Sequence, residues 1–270
     1  MTTAQAQAQA PATATSPMLL RLAAEHATGV LLRGQGTLYL ADGSIVHAES
    51  PAAPGLDVLL TAGGVLPRQG WEEALTEAGT RNEVGRHLVD SGRVAAGELE
   101  LCHLGALFDA AYFVLGPAGG PTRFRYGVAH WLGRVRPVPV AAVDRESRRR
   151  RALLDGIWPD AAIDEAPVVP RPPAPGQSVT ARQRAVLRLA DGVRTPTAIA
   201  WALGRPAFHT LVEVRRLAAA GLVSTPRARA SPEPRADPAW AEEIHAAVGV
   251  SADPDIDLLR RLRDALEASL

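Results

Sequence analysis

The side chains in this chain best able to hold a metal or to act as base or nucleophile are seven histidines and a single cysteine, Cys102. The histidines are His26, His47, His87, His103, His130, His209 and His245, and none stands in a His-x-x-His or His-Glu-x-x-His spacing. Cys102 and His103 are neighbours, so on a helix they point about 100° apart and grip one ion poorly. The cysteine reads as a buried apolar residue, because thiolate activation needs a base that the local sequence does not supply. His47 closes an apolar run and reads as a packing residue at a strand end, with a ligand contact as the other reading. Gly34-Gln35-Gly36 is too short for a dinucleotide fingerprint, and there is no Gly-x-Ser-x-Gly elbow. Asp42 and Asp109 are single carboxylates with no partner that spacing provides. Every basic residue is arginine, since the chain has no lysine, and this excludes Schiff-base chemistry and a phosphate-loop lysine. The expectation is a protein that is not an enzyme and takes no metal and no cofactor.

The arginines carry more information. Formal charge is zero overall, yet residues 1–170 carry −3, residues 178–235 carry +7 and residues 236–270 carry −5. A basic block between acidic ones points to a segment with its own partner. A second dense run is Arg145, Arg148, Arg149, Arg150 and Arg151, which opens a helical pattern. It reads either as a solvated helix face or as a contact for phosphate or an acidic partner.

These side chains must be positioned by elements that the pattern of apolar residues predicts. Residues 18–26 form a short amphipathic helix. Residues 30–32, 37–40 and 45–48 form a three-stranded meander, with Asp42-Gly43 supplying the positive φ angles of a tight hairpin. Helices follow at 56–62, 71–77, 84–90 and 97–115, the last with Leu101, Leu104, Phe108, Ala111 and Tyr112 at helical spacing. Residues 122–126 alternate Arg123 and Arg125 with Phe124 and read as a strand that joins the meander. Residues 181–190, 196–203 and 206–220 give three more helices. Thr180 caps the first and Gly204 ends the second; Gly221 ends the third, and a strand begins at Leu222. Residues 253–270 form an amphipathic helix with Ile256, Leu259, Leu262 and Leu266 in one stripe.

Proline-rich stretches divide the chain. The expected organisation is a disordered tail at 1–16, a domain at 17–160, a proline-rich linker at 161–177, a small domain at 178–226, a linker at 227–236 and a helical segment at 237–270. No run of about 18 apolar residues exists, so no membrane span is expected. The start lacks the basic and apolar regions of a secretory signal, so the expected location is cytoplasmic.

Residues 18–127 resemble the PATAN-type regulatory domains of bacteria. The resemblance rests on the leucine-rich first helix, on TGVL at 28–31, on LYLADGSIVHAES at 38–50, on GLDVLL at 55–60, on VGRHLVDSGRVAAGELEL at 84–101 and on TRFRY at 122–126. It implies a signalling or protein-interaction module without catalysis. Residues 179–226 resemble the winged helix-turn-helix of bacterial transcription regulators. The markers are Leu187, Leu189, Asp191-Gly192, Thr195, Ile199-Ala200, Leu203-Gly204, Leu211, Leu217 and Gly221-Leu222-Val223. The expected fold class is therefore α+β: an antiparallel sheet with helices, then a small winged helix-turn-helix, then a C-terminal amphipathic helix.

The resemblance implies DNA as a partner and makes the helix at 206–220 the reading helix. The expected DNA contacts are His209, Thr210, Arg215 and Arg216 on that helix, Arg194 before it, and Arg227 and Arg229 in a wing. Glu213 opposes phosphate and favours the other reading, an adaptor that binds a protein partner such as a small GTPase module. The C-terminal stripe either packs back on the chain or joins two copies in a homodimer.

Overall fold

The computed structural model describes residues 16–117 and 121–225. The expected tail at 1–16, all but its last residue, the wing arginines Arg227 and Arg229, the linker at 227–236 and the segment at 237–270 lie outside the described residues. The described residues cluster as one compact unit. The class is α+β.

Five strands form an antiparallel sheet in the order β4-β1-β2-β3-β5. They are β1 (Gly29–Arg33), β2 (Gly36–Ala41), β3 (Ser44–Glu49), β4 (Arg123–Tyr126) and β5 (Val138–Pro139). The β2–β3 turn is Asp42-Gly43, with φ of 48° and 75°, as a two-residue primed turn requires. Pairing Tyr39 with His47 and then Leu40 with Ile45 skips Val46, a β-bulge. The skip keeps Ile45 and Ala48 on the core side with Leu38 and Leu40, and leaves Thr37, Tyr39, His47 and Glu49 on the other face.

Nine helices are present among the described residues: α1 (Pro17–Ala24), α2 (Leu56–Ala62), α3 (Arg68–Ala78), α4 (Val84–Asp90), α5 (Ala96–Val114), α6 (Val140–Ile157), α7 (Ala181–Leu189), α8 (Pro196–Leu203) and α9 (Ala207–Ala219). Helix α5 packs Leu107, Ala110, Ala111 and Val114 onto Leu31, Leu38, Leu40 and Ile45 of the sheet. Its buried face includes Leu99, His103 and Asp109, while Leu101, expected in the core, is 74% exposed. The apolar residues of α5 run nearly all round the helix, so spacing alone did not select the buried stripe. Helices α2, α3 and α4 form a second core with α5 through Leu60, Trp71, Val84, Leu88 and Leu99.

Helices α7, α8 and α9 pack around Val186, Ile199, Val214 and Leu217. Thr180 caps α7 in a reciprocal box with Gln183, and Thr195 caps α8. Strand β7 (Val223–Ser224) pairs with β6 (Val169–Pro170).

The expected linker at 161–177 is therefore part of this core. Val168 is fully buried, its N–H donates to the Arg194 carbonyl, and its carbonyl accepts from the Gly192 N–H. Proline suits a two-residue edge strand because it loses no ladder bond there. The trihelical part is not held apart from the sheet part either. Ala200 and Ala207 are buried in the sheet core, and Leu154 of α6 packs with Phe208, Leu211 and Val212 of α9.

Candidate functional site

The first ten residues of α9 decide whether it can read DNA. Its opening N–H groups, on Ala207 and Phe208, donate to the two carboxylate oxygens of Asp109 on α5, at 2.5 and 2.8 Å. A carboxylate thus satisfies the helix start and sits where a phosphate would have to bind. Asp109 is fully buried. Burial pushes its pKa up to about 6, against the two N–H bonds and Arg150, which pull it down. Arg150 lies 3.6 Å from Asp109 and stacks its guanidinium 4.6 Å from the Phe208 ring centre.

The expected DNA-binding residues fare unequally. Arg215 is 2% exposed. It donates to both oxygens of Asp164 at 2.9 and 2.6 Å, to Asp155 at 3.3 Å and to the Trp158 carbonyl at 2.6 Å. Burial alone would lower its pKa, yet the bonds to Asp164 and Asp155 carry it above the usual arginine value. Thr210 is buried as well. Arg215 and Thr210 are turned away from any DNA, because inward residues on α9 meet α6 and the short turn Ala161–Asp164. Ten of the thirteen residues of α9 are buried, too many for a helix that must lie in a major groove. His209 and Arg216 remain exposed, with Arg216 paired to Glu213 at 3.0 Å. Arg194 is exposed but bound to Asp191 at 2.8 Å. His209, Arg216, Arg182 and Arg205 line one groove of about 530 Å³.

The run at 145–151 also divides. Arg148 and Arg149 pair with Asp144 and Glu146 on the helix surface. Arg150 and Arg151 turn inward; Arg151 donates to the Tyr112 carbonyl at 2.9 Å. They join α6 to its neighbours.

Sequence spacing missed a second constellation, centred on His47 of β3. His47 on β3, His103 on α5 and His130 in the segment after β4 are all buried. His47 stacks on His130 with ring centres 4.0 Å apart, and on His103 at 5.5 Å. The segment carrying His130 is pinned to α4, whose first N–H groups, on Val84 and Gly85, donate to the Trp131 and Leu132 carbonyls. The Leu132 N–H donates to His130 Nδ1 at 3.2 Å, so the ring proton sits on Nε2 and donates to Glu49 Oε1 at 3.0 Å. Tyr39, the cross-strand partner of His47, donates to Glu49 Oε2 at 3.3 Å. His103 Nε2 donates to the carbonyl of Val46, the bulge residue, at 2.8 Å.

Two atoms in this cluster stand out. His47 Nδ1 and His103 Nδ1 are buried with no hydrogen-bond partner. Burial, then the nearby His130 and His103, holds the His47 pKa well below 6.5, and burial lowers that of His103. The His130 bond holds the Glu49 carboxyl below its usual range, against desolvation. One ligand atom from each of His47, Glu49 and His130 lies within 4.8 Å of the others, the one such grouping of three or more among the described residues. Glu49 and His47 also line a cleft of about 400 Å³ with Trp131 and Trp201. The signal was partly available, since His47 and Glu49 two apart on a strand share a face. Nothing in spacing brought His130 to them. Cys102, expected buried, is half-buried, and burial raises its thiol pKa.

Fold and site together define an α+β protein whose sheet part and trihelical part share a core. Comparison with family models, curated proteins and solved structures finds no match to this chain. No helix among the described residues is long and apolar enough to cross a membrane.

Proposed function

We propose that this chain is a bacterial regulatory adaptor that binds a protein partner, and that its trihelical part is a scaffold rather than a DNA reader. The reading rests on the Asp109 carboxylate capping α9, together with the neutralised Arg215. An anion fixed at that helix start repels phosphate, and a helix buried on three sides cannot enter a groove 12 Å wide without unpacking the core. The resemblance to PATAN-type domains points the same way. The surface that suits a partner is strand β4. It pairs with β1 on one edge and has no strand on the other among the described residues. Arg123 and Arg125 are exposed along it, and Tyr126 and Val128 are 65% and 38% exposed at its end. An open edge with alternating cations fits an extended, acidic segment added as a further strand.

The test pairs two measurements on the full chain. Fluorescence anisotropy with labelled genomic fragments at low and physiological salt should show no binding. Affinity capture should recover a partner that is lost with Arg125→Glu and Tyr126→Arg but kept with Arg216→Ala. DNA binding that weakens steeply with salt and is lost in Arg216→Ala would favour the DNA-reading alternative and overturn this one.

A further inference from the structure

We infer that His47, Glu49 and His130 form a binding site for a divalent transition-metal ion such as Zn²⁺. The donor set is two imidazoles and a carboxylate, which suits zinc and its borderline neighbours and not magnesium or calcium. The set is held by independent elements: His47 and Glu49 share one face of β3, and His130 is fixed by the segment clamped on α4. The three ligand atoms lie within 4.8 Å of one another, and the His130 Nε2 to Glu49 Oε1 separation is already 3.0 Å. Two ligands of one tetrahedral zinc stand about 3.3 Å apart. The other separations are at most 4.8 Å, and the Glu49 side chain, 46% exposed, is the least buried of the three.

The second observation is the buried His47. It is 4% exposed, and its Nδ1 has no partner. An unsatisfied buried polar atom is destabilising, and a ligand at this place would relieve it.

Loading has a definite proton balance. The His130 proton moves from Nε2 to Nδ1: the Nε2–H bond to Glu49 gives way to a metal bond, and the Leu132 N–H loses its acceptor. Glu49 binds as the carboxylate it already is. Tyr39 and Thr37, which donate to Glu49 Oε2 at 3.3 and 3.5 Å, orient the carboxylate from behind. His47 and Glu49 both line the cleft that Trp131 and Trp201 flank.

The experiment uses the untagged full chain, stripped with a chelator and titrated calorimetrically with Zn²⁺; Co²⁺ serves as a spectroscopic probe. One equivalent should bind, and Co²⁺ should develop the intense visible bands of a four-coordinate site. Glu49→Gln and His130→Gln should each weaken binding at least about tenfold, while His209→Ala leaves it unchanged. Far-UV circular dichroism of each variant reports folding; should His130→Gln unfold, the half-exposed Glu49→Gln decides alone. Absence of a saturable equivalent in the unaltered chain, or binding that survives Glu49→Gln, would overturn the inference.

Discussion

At the scale of single residues, Arg215 and Arg216 are neighbours in sequence with opposite roles. Arg215 is buried among Asp164, Asp155 and the Trp158 carbonyl. Arg215→Ala would leave Asp164, 15% exposed, without its partner, and the cost of breaking such a pair is about 3–5 kcal/mol. Arg216 has an exposed side chain, so Arg216→Ala should change stability by less than about 1 kcal/mol. Denaturant melts of the two variants check both. Two other residues set opposite pH dependences. The His47 pKa is depressed below its unfolded 6.5, so its contribution is present above that pH and is lost as pH falls through the folded value. The Asp109 pKa is raised from 3.8 to about 6, so its contribution is full below about 3.8 and is lost as pH rises through 6. Melts across pH 3.5–8 should show a shallower acid limb in His47→Gln and a steeper one in Asp109→Asn.

At the scale of elements, the turn between α8 and α9 carries the clearest constraint. Gly204 has φ of 59°, and a Cβ there would collide with the Cβ of Ala62 at the end of α2. A left-handed conformation costs a non-glycine residue about 1–2 kcal/mol, and the collision adds to it. Gly204→Ala should therefore destabilise by more than about 1 kcal/mol, read as a drop in melting temperature. Trp201 on α8 donates to the Pro51 carbonyl at 3.2 Å, a further contact between the same two parts. The elements themselves were largely legible in sequence. Helices α2, α4 and α8 have the expected bounds, and β1 to β4, α1, α3, α5, α7 and α9 fall within a few residues of expectation, because Gly, Pro, Asp-Gly and threonine caps mark their ends; α6 begins at Val140, five residues before the arginine run expected to open it. The buried stripe of α5 was not legible, since its alanines and leucines encircle the helix and only contacts select a side.

At the scale of the whole molecule, the sheet part and the trihelical part share a core, with Ala200 and Ala207 among the sheet residues. Residues 16–225 should therefore unfold in a single transition, with tryptophan fluorescence and far-UV circular dichroism superimposing. An excised 178–226 fragment should fail to fold, as it exposes Phe208, Leu211 and Arg215 together and loses the β6 strand. Independent, non-coincident transitions would contradict a shared core.

Local chemistry alone determined the α+β class, the Asp42-Gly43 hairpin and the cap at Thr180, because each depends on residues a few positions apart. Only the tertiary structure decided that Asp109 caps α9, that Arg215 turns inward, that residues 161–177 complete a core instead of spacing two domains, and that His47, His103 and His130 meet. Those contacts join residues 24 to 99 positions apart. Which distant groups come together depends on how whole faces are buried, and a face's destination is not written in its own spacing.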